Sequence, residues 1–462
     1  MRSLLQDLIQ KQHGFVELRY HQHQSNSLLA QKGRMDQAST QSQAGLGVRV
    51  LDSGSWGFSS TSVLTEISIQ KAIDNARNAA QQLSKLRNDH IELAPAKLSN
   101  SSITLTGYEE LLNMDLEQKI QRVLHDERQL NAAHQSIHTA AVRYSEIFEH
   151  KIIITSDGAD AERKLVRPEF RTLAFAGSGS DQVSGGRSLG ITGGWEDIFR
   201  HPSADNIIEA TALETVDMLK ARHVDAGTKT VILSPSLVGL LCHEAIGHTV
   251  EADFVQSGSV AKGKIGKRVG SELVNLWDGG QPHLGNAPGG QLPFDDEGVV
   301  CSSTPIIQNG LLQHYLHDRD SAKRFDDEAR GNARAWSYSD EPLIRMTNTY
   351  LEPGESRLED MIEGVEDGLL LTGAGGGQAD ATGEFMFGCQ GAQEIKNGKL
   401  GKNFREVTLS GLAFDVLHSI DALSKDFLWD LGSGYCGKGQ AAKVDAGGPH
   451  ARCTLRVGGR NS

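Results

Sequence analysis

Residues Leu233–Phe254 read LSPSLVGLLCHEAIGHTVEADF. Leu237, Val238, Leu240 and Leu241 recur at helical spacing and give a helix with an apolar face. Ser234 stands where it can cap that helix, and Pro235 suits the first helical position, where a missing N–H costs nothing. His243, Glu244 and His248 are therefore delivered from a buried scaffold. Burying three such groups without partners is expensive, so the stretch raises the question of what they bind. Imidazoles are good neutral metal ligands, and a carboxylate beside them can take a proton from a water that a metal has acidified.

The spacing is the difficulty. In HExxH the histidines are four apart and share one helical face. Here they are five apart, and on a regular α-helix residues five apart point about 140° away from each other. A π-bulge or similar break near Gly247, which glycine makes cheap, would bring His243 and His248 together. A regular helix would instead pair Glu244 with His248 on a metal and leave His243 beside them as an acid–base group. The local residues leave both arrangements open, together with a purely structural role for the histidines in a core or an interface. Glu251, three residues past His248, is placed to orient it; Glu251 and Asp253 could equally be helix surface.

A third ligand must come from elsewhere, and His283, His314, His317, Cys389, Cys436, His450 and Cys453 are the candidates. Cys436 lies in GSGYCGKGQ (Gly432–Gln440), where flanking glycines allow a tight turn and no apolar run suggests a core role. A thiolate is a strong zinc ligand. Cys242, beside leucines, reads as core, and Cys301, after two valines, as a strand residue.

The whole chain bounds these readings. Its 462 residues exceed one ordinary core, so two domains are expected. Fifty-one glycines against 11 prolines, most from Gly177 onward between apolar runs, read as the tight turns of a strand-rich region. The net charge of −13 argues against general polyanion binding, so no direct contact with nucleic acid is expected. AKGKIGKRVG (Ala261–Gly270) is a local basic patch, either a solvated turn or lid or a grip for carboxylates or phosphates. No window approaches 18 apolar residues, so no membrane span is expected, and MRSLLQDLIQKQHGF does not read as a signal peptide. Five scattered cysteines make no disulfide framework and point to a reducing cytoplasm.

Along the chain, an opening amphipathic helix precedes GFVELRYHQHQSNSLLAQKG (Gly14–Gly33), which reads as strand, turn, strand. Long helices at 65–88 and 114–133 alternate with further strands, and residues 1–190 form an N-terminal α/β domain. Residues 191–462 form a β-rich domain that carries the metal-site helix, with Asn309-Gly310 and Asn397-Gly398 as hairpin turns. The fold class expected is α+β. GGGQAD (Gly375–Asp380) reads either as a sheet corner or as a place where substrate backbone approaches closely.

With HEAIGH, TVEAD, GVRVLDSGSWGFSSTS, PIIQNGLLQHYLHDRDSAKRF, GNARAW, PLIRMTNTYLEPG, GGGQADATGEF and GYCGKGQ in this order, the chain resembles the TldD/PmbA family over nearly its whole length. That family has also carried the label of gyrase modulators. The resemblance implies a cytoplasmic metalloprotease with Zn2+ held by His243, His248 and Cys436 and with Glu244 as general base, which favours the broken-helix arrangement. It implies the metal-bearing TldD-like branch, a homodimer or a heterodimer with a non-catalytic paralogue, and unfolded or extended peptides as substrates, in precursor maturation or antitoxin degradation. GCQGAQEIKNG, with Cys389, departs from the pattern of many members just after GGGQAD. The alternative is a non-enzymatic regulator or scaffold that binds a partner such as a gyrase-associated protein. A hydrolase of non-peptide amides is a further rival, since it would use the same zinc chemistry.

Overall fold

A computed structural model describes residues 1–459 apart from 88, 179–180, 201–202, 286–287 and 431. The first half is one twisted, mostly antiparallel sheet of β1 (Phe15–Gln31), β2 (Arg34–Asp52), β3 (Ser55–Thr61), β4 (Ser102–Thr104), β5 (Ile137–Thr155), β6 (Asp160–Ser178) and β7 (Asp181–Gly190), in the order β3-β2-β1-β5-β6-β4, with β7 also on β6. The turn expected inside Gly14–Gly33 does not form. β1 runs unbroken for 17 residues, and the chain reverses at Lys32-Gly33, both at positive φ, because β1 pairs along its length with β2 on one side and β5 on the other.

Strand alternation separates two faces. Val16, Leu18, Val48, Val50, Ile152 and Ile154 pack beneath α1 (Arg2–Ile9) and α2 (Glu66–Ser84). Val142, Tyr144, Phe170 and Ala174 pack with the apolar faces of α3 (Leu116–Ala132) and α4 (Ala204–Lys220). Ile207, Ile208 and Ala212 of α4, which lies past the expected boundary at residue 190, share that core.

The opposite face carries Glu17, Arg19, His21, Arg49, Lys151, Arg163 and Arg167, all buried. These side chains meet the second half of the chain instead of water. Arg49 joins Glu17 and Glu297, each at 2.7 Å. Lys151 and Arg163 reach Asp296 at 2.8 and 3.2 Å. Burial alone would raise the Asp296 carboxyl, but Lys151, Arg163 and Arg19 outweigh it and hold the group well below the usual carboxylate range.

The second half contains β8 (Gly227–Leu233), β9 (Leu276–Gly279), β10 (Asn348–Leu351), β11 (Asp367–Ala379), β12 (Glu384–Lys396), β13 (Val407–Leu412), β14 (Tyr435–Gly437), β15 (Ala441–Lys443), β16 (Asp445–Gly448) and β17 (Ala451–Gly458). The pairings β11–β8–β17–β13–β12–β11 close into a ring. Val231, Leu233, Phe385, Phe387, Leu455 and Val457 belong to one buried core. On the other face of β8, Ile232 packs with Met361 and Val365 at a short helix, Leu358–Glu363. A second sheet holds β9, β10 and β16. Both expected hairpin turns form, with Asn309, Gly310, Asn397 and Gly398 all at positive φ. The molecule is α+β, and no helix among the described residues is long and apolar enough to cross a membrane.

From β8 the chain enters α5 (Pro235–Leu240), every residue of which is buried. Ser234 occupies the N-cap position, but its hydroxyl meets the Ser236 hydroxyl at 3.1 Å and caps no backbone N–H. The helix touches β16 and β10 of one sheet and β11 of the ring, so it lies between them. At Leu241 it widens into a π-helix that runs to Gly247, and the His248 N–H donates to the His243 carbonyl, five residues back.

Gly247 itself has ordinary helical angles, φ −55° and ψ −50°. What it supplies is space: a Cβ there would lie 1.9 Å from Met346 Sδ, and Met346 is fully buried. Gly247→Ala should therefore destabilise the protein by about 1–3 kcal/mol through overpacking. Met346→Ala in the same chain should recover part of that loss. Denaturant midpoints of the single and double variants check this, and an unchanged midpoint in Gly247→Ala would contradict it.

Candidate metal centre

The π-turn settles the geometry that the spacing left open. In an i→i+5 helix, residues five apart stack as residues four apart do in an α-helix. The His243 and His248 rings accordingly converge, with centroids 5.3 Å apart and planes at 80°. Cys436, on β14, arrives from 188 residues further along the chain, with Sγ 3.1 Å from His248 Nε2. Ligand atoms of His243, His248 and Cys436 all lie within 4.8 Å of one another. Glu244 stands at the rim, its carboxylate 3.8 Å from His248 Nε2.

Neighbours orient His248 and the Cys436 hairpin. His248 Nδ1 faces Glu251 Oε2 at 3.3 Å. An ionised carboxylate only accepts, so Nδ1 donates to it, which leaves Nε2 as the nitrogen that faces Cys436. Glu251 is fully buried and accepts from Lys438 Nζ at 2.8 Å. Lys438 also donates to Asp253 at 2.8 Å and to the Ile344 carbonyl at 3.0 Å, so it ties the Cys436 hairpin to the segment after the histidines. Buried Arg345 donates to the Cys436 carbonyl at 2.6 Å and to the Gln440 carbonyl at 2.8 Å, and Arg334 holds the Lys443 carbonyl at 2.5 Å. From the first sheet, Glu169 accepts from Lys443 Nζ at 2.6 Å and from the Tyr435 hydroxyl.

The electrostatics favour a thiolate. Burial alone would raise the Cys436 thiol, but His243 and His248 outweigh it and pull it down to about 4. Burial disfavours the charged His248 ring, yet its contacts with Cys436 and Glu251 push it up to about 10. Glu251 is held below its usual range: burial opposes this, and His248 and Lys438 prevail.

The residues fit a metal of zinc's preferences. His243 is buried, and neither ring nitrogen has a hydrogen-bond partner. Such a group is costly unless something else satisfies it. Two imidazoles and a thiolate are a zinc-type donor set, and tetrahedral zinc spreads its ligands about 3–4 Å apart.

The other candidate ligands lie elsewhere. His283 binds Glu352 at 2.9 Å and the Tyr350 hydroxyl at 2.8 Å. His314 binds Asp327 at 2.9 Å, and His317 binds Ser321 at 3.1 Å. His450 meets Ser424 through its backbone. Cys389 and Cys453 belong to the buried core around the ring, where burial pushes their thiols up to about 11 and 12. Cys242 is likewise core, at about 12. The basic stretch 261–270 folds over the Asn309-Gly310 hairpin, with the Tyr315 hydroxyl on the Ala261 carbonyl. In GGGQAD, Gly375 lies against the Gly388 backbone across a register shift between Ala374 and Gly377, which is a sheet corner, whereas Gly376 faces open space.

Sequence reasoning missed Arg345, Lys438 and Glu169. Lys438 was visible in GYCGKGQ as a cation two residues past the cysteine. Arg345 and Glu169 carried no local signal, because their partners are distant in sequence.

Profiles of the PmbA/TldA metallopeptidases match the chain in three successive pieces: domain 1 at residues 16–80, the central domain at 109–222 and the C-terminal domain at 226–459. A metalloprotease of Methanocaldococcus jannaschii is 34% identical over 96% of both chains. A zinc metalloprotease TldD homolog of Saccharolobus solfataricus is 30% identical over 96% of both. Among solved structures, TldE from Thermococcus kodakarensis superposes with a TM-score of 0.79 at 17% identity, over 99% of this chain and 100% of that one. A Thermotoga maritima protein does so with a TM-score of 0.81 at 21% identity, over 99% of both. On these matches and the site they enclose, the chain belongs to the PmbA/TldA metallopeptidase family.

Proposed function

We propose that the protein is a zinc-dependent peptidase in which His243, His248 and Cys436 hold the metal and Glu244 is the general base. The observation that carries this reading is His243, a buried imidazole with two unsatisfied nitrogens beside a depressed thiol and a second, pre-oriented imidazole. Zinc in this donor set supplies Lewis acidity toward a carbonyl and acidifies water.

The chain's own residues do the rest. Glu251 keeps His248 in the tautomer that presents Nε2. Lys438 and Arg345 fix the height of the Cys436 hairpin. Glu244 takes the proton of the attacking water and returns it to the leaving amine. The Glu244 and His248 side chains are 25% and 21% exposed, whereas His243 and Cys436 are buried. Access from one side suits an extended or unfolded peptide better than a folded surface.

A cytoplasmic setting is part of the proposal, supported by five cysteines that are all free and buried. So is pairing with a second copy or with a non-catalytic paralogue. In the scaffold alternative no metal is bound, which leaves both buried His243 nitrogens without a hydrogen-bond partner.

Three outcomes are expected. Glu244→Ala should retain about one zinc per chain by elemental analysis and lose cleavage of an unfolded polypeptide by about 100-fold or more; full activity in a metal-loaded variant would remove the general-base role. Cys436→Ser should lower metal occupancy, and unchanged stoichiometry would strike Cys436 from the ligand set. A chelator should stop cleavage reversibly while circular dichroism stays unchanged; loss of fold on chelation would mark the metal as structural.

A further inference from the structure

Between the charged face of the first sheet and the Cys436 hairpin lies a cavity of about 20 Å3. That is room for one water-sized sphere or a little more. Five cations line it: Lys151, Arg163, Arg167, Arg334 and Lys443. Only two carboxylates do so, Glu149 and Asp296. Glu169 and Asp445 act on Lys443 from outside the cavity, and Arg345 and Arg19 add further buried positive charge around Arg334 and Lys151.

Buried charges persist only when they are compensated. Burial, which their carboxylate partners only partly offset, pushes both lysines down to about 8.

Arg167 is only weakly compensated. It is 2% exposed. Its Nε and Nη2 donate to the carbonyls of Gly289 and Gln291 at 3.1 and 3.3 Å. Its Nη1 forms an ion pair with Glu149 Oε2 at 3.9 Å, beyond hydrogen-bond reach, and Arg167 is among the residues that line the cavity. A water there would accept from an N–H group and add no negative charge to the single, shared Glu149 carboxylate.

We propose that this cavity binds a small inorganic anion of halide size, which bridges the first sheet and the hairpin that bears Cys436. Ala442, on the cavity wall, is the register partner of Cys436 across β14 and β15, and Lys443 follows it. The anion thus acts one strand away from the candidate metal ligand and stiffens its support. The inference rests on the interface alone and does not depend on the peptidase reading.

The test uses the full chain with bromide as the probe. Thermal midpoints are measured in sodium bromide against sodium gluconate at one ionic strength, and crystals are soaked in bromide for anomalous diffraction. The expected result is a saturable upward shift of about 2–4 °C and one anomalous peak within hydrogen-bond reach of Arg167. Arg167→Met should lose both. If that variant fails to fold, the peak in the unaltered protein decides. Water density without anomalous signal at saturating bromide would overturn the proposal, as would equal midpoints in the two salts. So would a peak that persists unchanged in a folded Arg167→Met protein.

Discussion

The hydrogen bond from the His248 N–H to the His243 carbonyl is the constraint on which the site depends. It spans five residues where an α-helix spans four, so it rotates the two imidazoles onto one side of the chain. A π-turn is a rare geometry and persists only when its surroundings hold it. Here they do so from several directions. All of α5 is buried, Gly239 lies against the Ala446 backbone, and Gly247 admits Met346 at a distance that no side chain would allow. The extra residue of HEAIGH relative to HExxH is thus absorbed by the helix, which brings the two candidate ligands together in space.

The third ligand depends on a different interaction. β14 is a three-residue strand with little apolar surface of its own, and charged groups hold it in place. Arg345 fixes the Cys436 carbonyl, Lys438 anchors to Glu251, and Glu169 receives Lys443 and Tyr435 from the first sheet. None of the three candidate ligands lies in the N-terminal half, yet its charged face is the platform on which the cysteine hairpin stands. Charged contacts of this kind are directional, so they specify position more sharply than apolar packing does.

Much of the fold was legible because its signals are local. Asn-Gly pairs demand positive φ at both residues and made their hairpins. The apolar spacing of Leu237–Leu241 marked a buried helix, and His243, Glu244 and His248 stood out as polar groups that such a helix would have to justify. Other features depend on distant partners. The polar run of β1 read as a turn but stays extended, because it pairs with β2 on one side and β5 on the other. Past residue 190, where the first domain was expected to end, α4 packs back onto the same sheet. Cys389 and Cys453 remained ligand candidates until the closed ring placed them in its buried core.

The sequence by itself determined the helix, its two histidines and glutamate, the turn positions and the α+β class, since each follows from periodicity, from backbone freedom or from the cost of burying a polar group. Cys436 was singled out by its glycine-flanked context and assigned through family resemblance. Tertiary structure alone decided that the helix widens by one residue per turn, that Cys436 comes within 3.1 Å of His248, and that the charged face of the first sheet is an interior surface. The physical reason is the same in each case. A hydrogen-bond register, a ligand distance and the burial of a charge are properties of pairs, and in this chain the partners stand up to 321 residues apart.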